Sequence, residues 1–187
     1  MKEDAFSAFE RQGWEKLPEA YHSYYAALTD QSIDALLVAL NLQPGGDLLD
    51  VATGPGYLAA AAAARGASVV GVDFATAMVE QARKLYPALA FRVGNAEALP
   101  FADQSFDAVG SNFGWHHFPH PEQALSEAYR VLRPGGRIAF TVWASQGKCT
   151  GIDMVLKAIA AHGNTDGSSP RPNDRLPLIY QGARAFS

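Results

Sequence analysis

A doubly wound α/β fold on a mostly parallel sheet is predicted by three observations. Short apolar runs alternate with helix-period segments from Leu48 to Trp143. Two of those runs, Leu48-Leu49-Asp50-Val51 and Ser68-Val69-Val70-Gly71-Val72-Asp73, lack the in–out alternation of a strand with one wet face. That pattern suits a sheet covered on both sides. The first run ends in Thr53-Gly54-Pro55-Gly56 and opens onto an alanine-rich helix, so two β-carbons are missing where the chain turns sharply and a ligand could approach.

The 187 residues are enough for one domain with a real core. With 48% hydrophobic and 18% charged residues, the chain is composed like an ordinary soluble globular protein. A net charge of −4 and a pI near 5.7 argue against a broad electrostatic footprint for nucleic acid. Cys149 is the single cysteine, so no internal disulfide can form, which fits a reducing compartment. Met1-Lys2-Glu3-Asp4 lacks a signal peptide's basic-then-apolar pattern, and no apolar run nears the ~20 residues that span a bilayer. A cytoplasmic location is expected.

Residues 5–41 read as helical, with Ile33, Leu36, Leu37 and Leu40 on one face and Thr29 or Asp30 placed to cap it. Trp14, Tyr21, Tyr24, Tyr25 and Leu28 make the stretch before them aromatic-rich. Gln43-Pro44-Gly45-Gly46 breaks the pattern and launches the first strand. The helix after the glycine turn stops at Arg65-Gly66. The second strand is Ser68 to Asp73, followed by a helix from Thr76 to Tyr86 that turns Met78, Val79, Ala82 and Leu85 inward. Leu89 to Val93 and Phe106 to Ser111 are strands three and four. Pro121 opens a helix to Leu132 with Ala124, Leu125, Ala128, Val131 and Leu132 on one, inward face, and Arg137 to Trp143 is the fifth strand. Three parts follow: a helical cover over 1–43, an α/β ligand-binding domain over 44–162, and an irregular tail over 163–187.

Ligands on doubly wound sheets bind beyond the carboxyl ends of the strands. That rule gathers Asp50 to Gly56, Asp73, Asn95 to Glu97 and Ser111 to His117 on one rim. Asp73 lies about twenty residues past the glycine turn, where a carboxylate can accept both hydroxyls of a ribose; capping the next helix is the lesser alternative. Asn95-Ala96-Glu97 offers an amide and backbone N–H groups to an adenine edge. Asn95 also reads as a turn residue, and Glu97 as a solvated or capping carboxylate. His116, His117 and His120 are interrupted by Pro119 and Pro121 without a regularly placed carboxylate partner, so no metal is expected.

The ordered motifs Leu48-Leu49-Asp50-Val51-Ala52-Thr53-Gly54-Pro55-Gly56, Val72-Asp73-Phe74 with Met78, Asn95 to Phe101, Phe106-Asp107 through His116-His117, and Leu132-Arg133-Pro134-Gly135-Gly136 together resemble those of the class I S-adenosylmethionine-dependent methyltransferases. The likeness is greatest to the branch holding the ubiquinone/menaquinone C-methyltransferases, and it covers roughly residues 14–145. It implies a three-layer Rossmann-like sheet and transfer of methyl from S-adenosyl-L-methionine to a small-molecule acceptor. The resemblance also implies that Asp50, Ala52, Thr53, Gly54 and Gly56 cradle the methionine part and Asp73 holds the ribose. Phe74 and Met78 would pack by the adenine, Asn95, Ala96 and Glu97 would meet its edge, and Asn112 and Phe113 would present backbone to the ammonium. Tyr21, Tyr25 and His116 are the expected walls of the acceptor pocket, with His117 the candidate general base. Ala52 stands where the family often has glycine, a small perturbation if its φ is negative, and Asn95 where it usually has aspartate.

Ile152 to Ala161 reads as a further helix, and the remaining tail is too short and too broken for the family's last two strands. A five-stranded sheet in order 3-2-1-4-5 is therefore expected, its fifth strand an edge open to the tail or to a second copy of the chain. Two rival functions remain. Gly54-Pro55-Gly56-Tyr57-Leu58-Ala59 satisfies the loose dinucleotide fingerprint of an NAD(P)-dependent oxidoreductase. A non-catalytic cofactor-binding protein on a shortened methyltransferase scaffold is the other.

Overall fold

Five parallel strands form one sheet in the computed structural model, which describes residues 5–144. They are β1 (Asp47–Val51), β2 (Ser68–Asp73), β3 (Ala90–Val93), β4 (Phe106–Asn112) and β5 (Leu132–Thr141), in the spatial order β3-β2-β1-β4-β5 that the family resemblance implies. β1 is central, its Leu48 paired with Val69 on one side and Ala108 on the other. The helix expected over Ile152–Ala161 and the tail from 163 lie outside the described residues.

Adjacent residues of β1 point to opposite faces and seed two cores. Leu48 joins Leu40, Leu58, Ala62, Val79 and Phe91 on one face. Leu49 joins Val72, Val109, Ala124 and Val131 on the other. The helices that supply them are α4 (Ile33–Leu40), α5 (Tyr57–Ala64), α6 (Thr76–Leu85) and α7 (Pro121–Val131). Two covered faces explain why these strands show no polar alternation. On α7 the inward row is Ala124, Ala128 and Val131, whereas Leu125, expected inward, is 41% exposed.

The fifth strand begins earlier than expected. Phe106 pairs with Leu132 but Ala108 with Arg137, so Arg133-Pro134-Gly135-Gly136 bulges out of the ladder without ending it. Arg130 fixes the segment after β3: its guanidinium takes both carboxylate oxygens of Glu127, donates to the carbonyls of Leu99 and Phe101, and reaches Asp103 at 2.7 Å.

Before the sheet come α1 (Ala5–Trp14), α2 (Pro18–Ala20) and α3 (Ala26–Thr29). A π turn at Tyr21–Tyr25 separates α2 from α3, and a 3-10 turn at Asp30–Ser32 leads into α4. Thr29 does not cap α4. Its hydroxyl bonds back to the carbonyls of Tyr25 and Ala26, 3.3 Å each, and the helical run continues past it. Glu10–Val142 forms one compact unit; the second, Met1–Phe9 with Trp143–Ser187, lies mostly outside the described residues.

Candidate cofactor and active site

The glycine turn is held from below and open above. A β-carbon on Gly56 (φ 90°) would come within 2.8 Å of the Phe91 ring, so this glycine is required by packing. Gly54 (φ 52°) has nothing within 4 Å of where its β-carbon would stand. Of the two, Gly54 is where a ligand can approach the backbone. Its N–H donates to Asp73 Oδ2 at 2.8 Å, latching the turn to the end of β2.

Ala52 has φ 56°. The negative φ under which alanine would be harmless is absent, because the chain must leave β1 and swing over Gly114. A β-carbon on Gly114 would lie 2.5 Å from that of Ala52, so the methyl occupies space that the glycine leaves. The left-handed conformation costs an L-residue about 1–2 kcal/mol, against up to about 1 kcal/mol of extra unfolded-state entropy for glycine. Ala52→Gly is therefore expected to stabilise the protein by about 0.5–1 kcal/mol in urea unfolding. A loss of stability would show that the methyl contact outweighs the strain.

Two buried carboxylates flank the turn. Asp50, 1% exposed, accepts from the Thr53 hydroxyl at 2.6 Å and the Ala59 N–H at 3.1 Å, both through Oδ2. Its Oδ1 is buried with no partner among the described residues. Burial pushes the Asp50 carboxyl up to about 7, against the pull of those two hydrogen bonds. Asp73, 6% exposed, accepts one N–H on each oxygen, from Gly54 and Ala75. Burial pushes it up to about 6, with its backbone bonds and nearby His117 acting in the opposite direction. The Phe74 N–H also acts on the carboxylate, which still keeps acceptor capacity for a further donor.

The remaining rim residues fall as follows. Phe74 is half-buried and Met78 fully buried. Asn95 is exposed and turns its amide oxygen onto the Glu97 N–H at 2.9 Å, while Ala96 is buried. The Glu97 carboxylate, 9% exposed as a residue, is committed to the N–H and Nδ1 of His120 at 2.7 and 3.1 Å, ahead of α7. The Asn112 side chain accepts from Ser32 and Thr141 and donates to the Thr29 carbonyl, so it ties the helical cover to β4 and β5. Phe113 takes φ 57° and donates its N–H to Thr141.

The cover contributes more than the sequence showed. Trp14 packs edge-on against Tyr21 and His117 at 5.8 and 5.0 Å, and Tyr21 stacks on Tyr25. Tyr21 is half-buried and bonds Thr29, but Tyr25 is 57% exposed. His116 lies ring to ring with His117 at 4.0 Å. Unforeseen were Glu10, which takes His117 Nδ1 at 2.6 Å, and Glu15, whose two oxygens accept the Thr76 and Ala77 N–H groups at the start of α6. His22 meets the Tyr57 hydroxyl at 2.6 Å beside the glycine turn. The one sequence signal for Glu10 was its helical spacing from Trp14, whose Nε1–H donates to it at 3.1 Å.

A doubly wound sheet with a glycine turn at β1 and a carboxylate ending β2 defines a Rossmann-like fold. Residues 49–140 match the family described as a methyltransferase domain. This match and the likenesses to known relatives support a class I S-adenosylmethionine-dependent methyltransferase of the menaquinone and ubiquinone branch. The chain is 47% identical over 104 residues to the demethylmenaquinone methyltransferase of Beutenbergia cavernae, covering 56% of this chain and 43% of that one. It is 33% identical over 167 residues to the malonyl-[acyl-carrier protein] O-methyltransferase of Salmonella typhimurium, covering 88% and 64%. Among solved structures, the YcgJ protein of Bacillus subtilis aligns with a TM-score of 0.59 at 26% identity, covering 70% of this chain and 57% of that one. The chain spans about half the length of the demethylmenaquinone methyltransferases it matches. Neither the oxidoreductase nor the non-catalytic reading is favoured by these likenesses. No helix among the described residues is long and apolar enough to cross a membrane.

Proposed function

We propose that this chain binds S-adenosyl-L-methionine across the ends of β1 and β2 and transfers its methyl group in line to a small-molecule acceptor. The observation that carries the reading is the partnerless, buried Oδ1 of Asp50, set in the strand that leads into the glycine turn. A buried carboxylate oxygen without a donor is costly, and an ammonium group is the donor that best offsets the cost. The open space at Gly54 and the spare acceptor capacity of Asp73 fit the rest of such a ligand, a sugar with two hydroxyls.

In this reading Asp50, Ala52, Thr53 and Gly54 hold the amino-acid end together with backbone of Asn112 and Phe113. Asp73 takes the ribose, and Phe74, Met78, Asn95, Ala96 and the Glu97 backbone surround the adenine. The sulfonium supplies a methyl group already activated for transfer, so the protein's task is to align the acceptor and exclude water. The cover residues Tyr21 and Tyr25, with His116, form the acceptor's side. The names of the demethylmenaquinone methyltransferases that the chain resembles favour a quinone acceptor.

Calorimetric titration of the full chain tests this directly. S-adenosylmethionine is expected to bind and NAD(P) not to. Binding of the dinucleotide alone would overturn the reading in favour of the oxidoreductase.

A further inference from the structure

We propose that Glu10 and His117 form a carboxylate–imidazole pair that presents the Nε2 atom of His117 as the general base of the transfer, with Glu10 its positioning residue. The proposal rests on the methyltransferase reading and deepens it.

The geometry begins with a carboxylate that is out of water. The Glu10 side chain is 7% exposed, and one oxygen, Oε2, meets both His117 Nδ1 at 2.6 Å and the Trp14 Nε1–H at 3.1 Å. An ionised carboxylate only accepts, so the hydrogen in the short contact belongs to Nδ1. A neutral imidazole protonated there carries its lone pair on Nε2, the basic tautomer. The Trp14 ring, edge-on at 5.0 Å, packs against the imidazole. His117 follows β4 on the ligand rim, within electrostatic reach of Asp73 at the end of β2 and beside His116. Its side chain is 20% exposed, shielded yet reachable by a small acceptor.

A second such pair shows what a merely structural one looks like. His120 and Glu97 also meet, but the His120 side chain is 53% exposed and the same carboxylate holds the His120 backbone N–H. That pair secures the entry to α7. Glu10 and His117 are 107 residues apart and bring the cover to the rim.

The step balances. As the acceptor's X–H gives its proton to Nε2, the freed pair on X forms the bond to the methyl carbon, and the carbon–sulfur pair returns to sulfur to leave a neutral thioether. The imidazolium is stabilised by Glu10 and afterwards loses its proton to water.

Side-chain nitrogen NMR on the full chain with labelled histidine tests the tautomer without any methyl donor. His117 is expected to be protonated at Nδ1 and bare at Nε2, Glu10→Gln to keep that tautomer through its amide oxygen, and Glu10→Leu to lose it. A wild-type His117 protonated at Nε2 when neutral overturns the proposal. Labelled-methyl transfer to a reduced demethylmenaquinone probe tests the base. His117→Ala is expected to lose about 10²–10³-fold in kcat with its calorimetric Kd for S-adenosylmethionine unchanged, and added imidazole to restore at least tenfold. Glu10→Gln should lose about tenfold in kcat with KM unmoved, because only the charge opposite the imidazolium is gone. Full kcat in His117→Ala, or no rescue by imidazole, overturns the base. Failure of the unsubstituted chain to bind S-adenosylmethionine is a separate result: it sinks the methyltransferase reading, and the base with it, while the tautomer remains as measured.

Discussion

Asp50→Asn is expected to make the ligand-free protein more stable above pH 7 while crippling its affinity for S-adenosylmethionine. The folded carboxyl titrates near 7 and the unfolded one near 3.8. The folded state therefore holds a proton that the unfolded state releases between those values, and stability falls as pH rises through that window. At pH 8 the full separation corresponds to about 4 kcal/mol, which asparagine does not lose because it cannot ionise. Its amide nitrogen, buried where Oδ1 had no partner, takes back about 1–2 kcal/mol. The net gain of about 2–3 kcal/mol should raise the melting temperature at pH 8 by roughly 5–10 °C. It should shrink as pH falls below 7, reach zero at about pH 5 and turn into a loss of about 1–2 kcal/mol below about 4. Binding should weaken on the order of 100-fold, since a buried charge-assisted contact to the ammonium is lost. Thermal melts at pH 5 and 8 with calorimetry at pH 8 check both halves. Equal melting temperatures at pH 8 would mean that Oδ1 is solvated; undiminished affinity would mean that it faces no ammonium.

Asp73 is the second large effect, and two substitutions separate its two jobs. Asp73→Ala strips acceptors from the Gly54 and Ala75 N–H groups and should cost about 2 kcal/mol of stability besides its effect on binding. Asp73→Asn keeps one acceptor oxygen for the backbone but cannot accept two ribose hydroxyls. Both are expected to lose about 10²–10³-fold in affinity for S-adenosylmethionine, the alanine variant losing more in chemical denaturation because asparagine still satisfies one of the two N–H groups. If the asparagine variant binds as tightly as the parent, Asp73 is a clamp for the glycine turn and the sugar lies elsewhere.

These experiments depend on features that were unequally visible in the chain. The strands follow from local period, with Leu48-Leu49 giving a residue to each core, Ser68 to Asp73 unbroken by polar alternation and helices of crossover length between them, while their order was implied by the family resemblance. The rim follows from that order, because parallel strands with right-handed crossovers end together. Asp50, Gly54 and Asp73 were legible for the same reason, each within a few residues of a strand end. Leu125 was misjudged inward, since an apolar residue at helical spacing says which face it shares and not what covers that face.

By itself, then, the sequence determined the doubly wound sheet, the turn above β1 and the two carboxylates beside it. Periodicity and turn chemistry act over a handful of residues and need no partner to be read. Only the tertiary structure decided the positive φ of Ala52, the orphaned oxygen of Asp50, and the meetings of Glu10 with His117 and Glu15 with the first turn of α6. The two meetings join segments 61 to 107 residues apart, and local spacing carries no record of which distant side chain will fill a hydrogen bond. Ala52 and Asp50 obey the same logic: strain and an unmet polar atom belong to a site's surroundings, which exist only once the chain has folded.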